Sequence, residues 1–409
     1  MSEAKDEKAA VPPAVQQVFN GPVYGVAGQA ETQTVNVGTE HLAEPACIPT
    51  NLPLNQARVF VGRGADLENL HQQLQATERV AISAVSGMGG VGKTELALQY
   101  AHKYLDNYGG GVVWLRGEQA GVELLSFARS QFFPNIDFTQ FGDLKEQLAY
   151  CFRRWYPDQA PPKPVLLIFD DVNNYREQVV QWLSSEPRFR VLLTTRERIQ
   201  GIERLDLDVL EPEDALALLG AIVGEARVTA EPEAATALCQ WLGFLPLGIE
   251  LAGYYVCEEE CTLSELLAEL QQREAKRTAL EHPAMVQPEP TMTAQRGVEA
   301  TFELSWERLD IDARFLGAYL SLFAAAPIRW ELVVAPGEVS DGAQDALKVA
   351  RRKLVRFSLL KRNGELIQYH PLIKQFFLTQ LESDEFVIPP SHQLTGATTE
   401  ILRLFGAPE

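Results

Sequence analysis

The sequence has no stretch of about 18 consecutive apolar residues, and its first ten residues, MSEAKDEKAA, are charged where a secretory signal would be apolar. Neither a membrane span nor export is expected, and the chain reads as cytoplasmic. Cysteine is scarce: the five residues Cys47, Cys151, Cys239, Cys257 and Cys261 contain no CxxC pair. An odd, scattered set argues against a disulfide framework and a zinc knuckle. Cys257 and Cys261 are expected on one helix face. The six histidines lack metal-ligand spacing. Basic charge is short as well, 36 Lys and Arg against 55 Asp and Glu for a net charge of −19. That balance argues against a general polyanion binder and against docking on anionic membranes.

What is present suffices for packed cores. At 409 residues and 46% hydrophobic content, the chain is two to three domains long by the prior of roughly 150 residues each. Residues 1–55 read as a leader in which Val, Phe and Tyr alternate with Gly, Asn, Gln and Thr. Its weakly charged part, 15–38, is either a disordered leader, a docking strand or a cross-β segment that recruits an effector. Over residues 56–210, short β-branched runs (VAISAVS, GVVWLRG, VLLIFDD, FRVLLTTR) alternate with amphipathic stretches, which predicts a parallel α/β sheet. Residues 211–290 place Leu and Ala at helical spacing, an all-helical module, and His282–Gly297 is Pro- and Gln-rich and reads as a linker. Over 291–382 helices resume and end in two apolar strands around Asn363-Gly364, read as a type I′ turn; helices followed by a hairpin describe a winged-helix domain. The tail, 383–409, is uninformative.

Charge is uneven along the chain. Residues 205–270 hold fourteen acidic side chains against Arg227 alone, whereas residues 351–380 hold seven basic ones (Arg351, Arg352, Lys353, Arg356, Lys361, Arg362, Lys374) against Glu365. Either the two stretches pack together or the second is a solvated basic face.

The segment Gly87-Met88-Gly89-Gly90-Val91-Gly92-Lys93-Thr94 follows the first strand and opens a helix, satisfying GxxxxGK[ST] in its required setting. Glycines let backbone N–H groups turn inward around phosphate oxygens, the helix N-terminus adds positive partial charge, and Lys93 supplies a point charge. Thr94 offers a hydroxyl to Mg²⁺. Gly87, Gly89 and Gly92 also spell GxGxxG, the dinucleotide-binding turn, but Lys-Thr directly after the third glycine decides against it. The next strand also lacks a clean ribose-binding acid, with Glu118 the nearest. A P-loop needs an acid at the end of an apolar strand to reach the Mg²⁺ shell, and VLLIFDD supplies Asp170, with Asp171 able to polarise an attacking water. Taken bare, Asp-Asp is also a common strand-to-turn exit.

With FRVLLTTR added, the chain resembles the STAND class of signal-transduction ATPases, and within it the NB-ARC type of plant disease-resistance and apoptotic protease-activating proteins and their bacterial relatives. Phe60-Val61-Gly62-Arg63 is similar to the family's hhGR motif, which implies that Val61 and Arg63 contact adenine and ribose; without the family, Arg63 is a surface charge before a helix. Thr194-Thr195-Arg196 matches the sensor segment, implying that Arg196 reads the γ-phosphate. Leu242-Gly243-Phe244-Leu245-Pro246-Leu247 is similar to GLPL, implying that Pro246 packs on adenine; bare, Pro246 is a helix break. Tyr369-His370-Pro371 falls at the MHD position, implying that His370 reaches the β-phosphate of ADP. The missing Asp leaves open what clamps the backbone that follows.

The resemblance implies an ASCE-type P-loop fold followed by helical and winged-helix modules, with ATP or ADP and Mg²⁺ as cofactors. Its nucleotide-binding set would be Val61, Arg63, Gly87, Gly89, Gly90, Val91, Gly92, Lys93, Thr94, Glu95, Pro246 and His370. Asp170, Asp171 and Arg196 would serve catalysis, and Thr94 and Asp170 the metal. The implied activity is slow ATP hydrolysis serving a switch that ADP holds closed and that forms homo-oligomers with ATP, in bacterial defence or cell-death signalling. The trigger and the effector are unidentified, and sensing would lie in further sequence or another polypeptide. A STAND-type transcription regulator binding DNA through the winged helix is the alternative, disfavoured by the acidic charge.

Overall fold

The computed structural model describes residues 48–53, 57, 59–84, 89–155, 162–280, 290–323, 326–333 and 341–381. The chain divides into Met1–Glu44 and Pro45–Glu409, and every described residue belongs to the second part. The segment 15–38, the tail 383–409, Gly87 and Cys47 lie outside the described residues.

Five strands, β1 (Arg79–Ala84), β2 (Gly111–Arg116), β3 (Val165–Val172), β4 (Phe189–Thr195) and β5 (Glu203–Leu207), form a parallel sheet in the order β2-β3-β4-β1-β5. Val165 to Phe169 are wholly buried, as an apolar run covered on both faces requires. β5, ERLDL, is an edge strand on which only Leu205 and Leu207 turn inward. Its alternation is too short to stand out in the sequence. One strand, β4, separates β1 from β3, the order expected of an ASCE-type P-loop sheet. Ligands in such sheets bind beyond the carboxyl ends of the strands.

At the opposite edge, residues assigned above to the leader join the sheet. Thr50 bridges Val112 in parallel, and the Asn51 side chain accepts from the Trp114 N–H (2.7 Å) and donates to its carbonyl (2.9 Å), pairing as a peptide would.

The helices Pro212–Val223, Pro232–Trp241 and Pro246–Glu259 each begin with proline at the first or second position, where its missing N–H costs nothing. Pro246 therefore starts a helix rather than breaking one. That helix ends at Glu259, before the left-handed Glu260, so Cys261 lies past it and the two cysteines do not share a helix face. Part of the expected linker is helical too: a helix runs Pro290–Arg308. Gly297 is tolerated inside it because a side chain there would crowd Trp241, 3.2 Å from its carbonyl oxygen.

Beyond it lie the helices Ile311–Ser321 and Asp341–Arg356, a small antiparallel sheet of β6 (Ile328–Arg329), β8 (Leu366–Gln368) and β7 (Lys361–Asn363), and the helix Pro371–Leu381. Asn363 pairs with Leu366, which makes Gly364-Glu365 the turn, and only Gly364 has positive φ (+57°). A type I′ turn needs two such residues, so that expectation is corrected. One continuous cluster of buried apolar side chains runs from Leu67 through Leu247 to Phe377, binding the sheet domain, the helical module and this C-terminal module together.

Acidic and basic stretches do meet, but through a subset of the expected residues. Arg356 pairs with Glu258 at 3.3 Å, and Ser358 donates to Glu250 at 3.0 Å. Arg351 instead lies buried over the Trp330 ring, 4.0 Å from its centre, inside the C-terminal module.

Candidate functional site

A cavity of about 450 Å³ opens at the carboxyl ends of β1, β3 and β4, within the range of roughly 300–1,000 Å³ that small ligands occupy. Apart from Gly87, which lies outside the described residues, all the candidate residues named above line it, although they come from three modules.

The phosphate loop ends in left-handed backbone, with φ +80° at Gly90 and +100° at Gly92, conformations that L side chains rarely adopt. Gly92 caps the helix Lys93–Lys103, which puts Lys93 and Thr94 on its first turn. Burial and the neighbouring Arg196 hold the Lys93 ammonium below its ordinary value, while Asp171 and Asp170 act the other way. A bound polyanion would relieve that crowding of cations.

Asp170 accepts hydrogen bonds at Oδ1 from Thr94 Oγ1 (2.8 Å) and Thr194 Oγ1 (2.6 Å). Thr194 in turn accepts from the Asp171 N–H at 2.9 Å and so fixes the strand end. Burial pushes the Asp170 carboxyl up to about 6, against the two threonine bonds that favour its anion. A carboxylate short of positive charge beside a helix-start hydroxyl fits a Mg²⁺ site. Among the described residues no group of three or more His, Cys, Asp or Glu could hold a metal, so the remaining ligands would be phosphate oxygens and water, the usual Mg²⁺ arrangement. Asp171 has φ +53°, a local strain of the kind that clusters at functional sites.

A P-loop on β1, an acid on β3 hydrogen-bonded to its threonine, and β4 between them settle the fold. This chain has the P-loop NTPase fold. No protein-family model matches it. Among curated proteins it is 32% identical over 280 residues to the regulatory protein AfsR of Streptomyces griseus, a match covering 65% of this chain and 26% of that protein. It is 29% identical over 170 residues to the transcription activator GutR of Bacillus subtilis, covering 38% of this chain and 19% of that protein. The matched region thus spans about a quarter or less of each relative's length. Among solved structures, a STAND protein with a tetratricopeptide-repeat sensor from Pyrococcus horikoshii aligns over 87% of this chain and 47% of its own, at 19% identity and a TM-score of 0.48.

In this P-loop site, two of the candidates that line the cavity also hold the scaffold together. Arg63 is not a surface charge. It is buried, and its guanidinium donates to the carbonyls of Asp208 (2.6 Å) and Val91 (3.4 Å) and pairs with Asp66 at 3.2 Å. It ties the segment before the helix Gly64–Ala76 to the phosphate loop and to the chain just after β5. Arg63→Ala should lower the urea-unfolding free energy by about 2–3 kcal/mol, since it strips charged donors from two carbonyls. Arg63→Lys should recover little, because one ammonium cannot span both; unfolding curves that superpose on the wild type would refute this role. Glu95 accepts from the Ala57 N–H (2.9 Å) and from Gln99 (2.8 Å), holding the same segment in place.

His370 closes the cavity from the C-terminal module. Its Nδ1 accepts the Leu372 N–H at 3.3 Å, the geometry of a helix N-cap, so the histidine itself clamps the backbone that the missing Asp left in question. Burial, then Lys361, Lys93 and Arg196, push its imidazole down to about 3. The ring is neutral at pH 7, and with Nδ1 accepting, Nε2 carries the proton and is a donor. Tyr369 anchors this turn through a 2.8 Å bond to the Gly317 carbonyl.

Sequence reasoning missed Leu247, Leu372 and Lys361, all facing the cavity or its loop. Leu247 closes the GLPL-like motif and Leu372 follows Tyr369-His370-Pro371, which was a usable signal; Lys361 stood out only as one of a basic stretch.

Proposed function

We propose that this chain is an ATP/ADP-operated switch of the STAND class, NB-ARC type, held closed by ADP and opened by ATP, which then allows homo-oligomers to form. The carrying observation is that one cavity is built from three modules: Lys93 from the sheet domain, Pro246 from the helical module and His370 from the C-terminal module. A ligand touched by all three couples its phosphate state to their arrangement. Hydrolysis is the slow step that resets the switch, with Mg²⁺ supplying charge at the phosphates when bound. Thr94 and Asp170 hold the metal side, Asp171 orients water, and Arg196 reads the γ-phosphate. His370 donates through Nε2 to the β-phosphate of ADP, and Val61 and Pro246 flank the base.

His370→Ala removes that donor and should speed release of a fluorescent ADP analogue at least roughly tenfold, as expected for one charge-assisted hydrogen bond. In ATP it should also raise the mass seen by light scattering. Unchanged release together with a single species in ATP would exclude the switch.

A second reading is regulation of transcription, favoured by the similarity to a regulatory protein and to a transcription activator. In the present arrangement Lys361 and Gln368 of the hairpin line the nucleotide cavity. DNA binding by that hairpin would therefore require the C-terminal module to withdraw, so the nucleotide would gate it. Defence or cell-death signalling, with an effector recruited through residues 15–38, is the output that the family resemblance suggests.

A further inference from the structure

The pattern GxxxxGK[ST] constrains Gly87, Gly92, Lys93 and Thr94 and leaves positions 88 to 91 free, yet two of those free positions are glycines. Gly90 is explained by its left-handed backbone. Gly89 is not: its φ lies outside the positive region, so any L residue fits its backbone. What crowds a side chain at Gly89 is a neighbour, which would have to shift to admit one. A methyl group placed there would lie 2.9 Å from Leu372 Cδ1, 3.0 Å from Cδ2 and 3.2 Å from Cγ.

We propose that Leu372 is a hydrophobic latch that closes the C-terminal module on the phosphate loop, and that glycine stands at 89 as the seat of this latch rather than for phosphate binding. Leu247 of the helical module makes the matching contact next door. Its N–H points at the Gly90 carbonyl at 3.4 Å, and its Cβ and Cδ2 lie 3.2 and 3.3 Å from where a Gly90 side chain would start. Leu372 Cδ1 reaches the same point at 3.6 Å. Leucines from two different modules thus meet over one glycine pair. Because the Leu372 N–H donates to His370 Nδ1, the latch and the proposed phosphate donor share one turn and move together. Opening the module withdraws both and returns the leucine side chain to water, which opposes opening whether or not nucleotide is bound.

The inference rests on the closed-switch reading above, and its test separates the two. Leu372→Ala, Gly89→Ala and the double variant are compared for release of a fluorescent ADP analogue. Each single change should speed release by roughly tenfold, the loss expected for part of a half-buried leucine or for a methyl group forced against it. The double variant should be no faster than Leu372→Ala alone, because the added methyl then fills vacated space; such non-additivity marks a direct contact. If His370→Ala speeds release while both single changes leave it at the wild-type rate, the latch is overturned and the switch stands.

A second measurement reads the contact itself rather than nucleotide release, with Leu372 shortened to make room for a side chain at 89. Gly89→Cys combined with Leu372→Cys sets two thiols against each other, since a Cβ at 89 lies 3.2 Å from the Leu372 Cγ position that the second sulfur would take, close enough for an S–S bond to form as an oxidant removes both thiol hydrogens. On mild oxidation the pair should cross-link, as read by non-reducing electrophoresis against each single cysteine variant. Cross-linking should be efficient without nucleotide or with ADP and suppressed by a non-hydrolysable ATP analogue. No cross-link in any state overturns the latch, whereas equal cross-linking in ADP and in the ATP analogue leaves the contact standing and overturns the switch.

Discussion

Purified from cells, the protein is expected to carry about one ADP per chain, and Lys93→Ala to carry essentially none. The nucleotide would be enclosed by three modules that share a continuous apolar core, so its release requires their separation. Lys93 is the point charge at the start of the phosphate-binding helix, and its ammonium is already half-desolvated beside Arg196. Part of its desolvation has therefore occurred before the ligand arrives, which lowers the cost of each phosphate contact. Removing that contact should weaken binding by roughly 100-fold or more, which corresponds to about 2.7 kcal/mol. Denaturing the protein and quantifying the released nucleotide by ion-exchange chromatography measures the occupancy directly. A wild-type protein that is empty, and that also fails to bind added ATP, would remove the switch and bring the DNA-binding reading forward.

Asp170→Asn should abolish Mg²⁺-dependent hydrolysis and at the same time stabilise the nucleotide-free protein. Asparagine keeps an oxygen to accept from Thr94 and Thr194 but gives up the charge that a metal needs, so hydrolysis should fall by about 100-fold or more. The stability effect has the opposite sign. The carboxyl is raised from the ordinary 3.8 to about 6, so between those values the native state binds more protons than the unfolded state. Stability is then lost as pH rises through that window, and the penalty is complete above about pH 6. It amounts to at most about 3 kcal/mol. Without metal or nucleotide, the variant should melt a few degrees above the wild type at pH 8, and the gap should close toward pH 4. A variant melting below the wild type at pH 8, or a gap that ignores pH, would refute this account of Asp170.

Much of the site was legible because its chemistry is local in sequence. GMGGVGKT needs only the strand before it and the helix after it, and VLLIFDD carries its acid at the end of its own strand. Residues whose roles depend on distant partners were read less well. Taken bare, Arg63 reads as a surface charge, and its buried bonds to Asp208 and Val91 reach across 145 and 28 positions of sequence. The basic stretch suggested an interface, yet Arg351 is spent on Trp330 within its own module while Arg356 alone reaches Glu258. The turn after Asn363 shows the limit at close range, since the dipeptide allowed type I′ but the strand register moved the turn one residue on.

The sequence by itself determined the phosphate loop, the acidic strand, the alternation of β-branched and amphipathic segments, and the shift to helices after residue 210. These follow from backbone freedom, charge and hydrophobic period, all of which act within a few residues. Only the tertiary structure decided that Pro246 and His370 face the same cavity as Lys93, that His370 supplies its own backbone clamp, and that Leu372 and Leu247 meet on Gly89 and Gly90. The physical reason is packing. Which side chains meet across modules is settled by the fit of whole buried surfaces, and no local pattern in the chain encodes that fit.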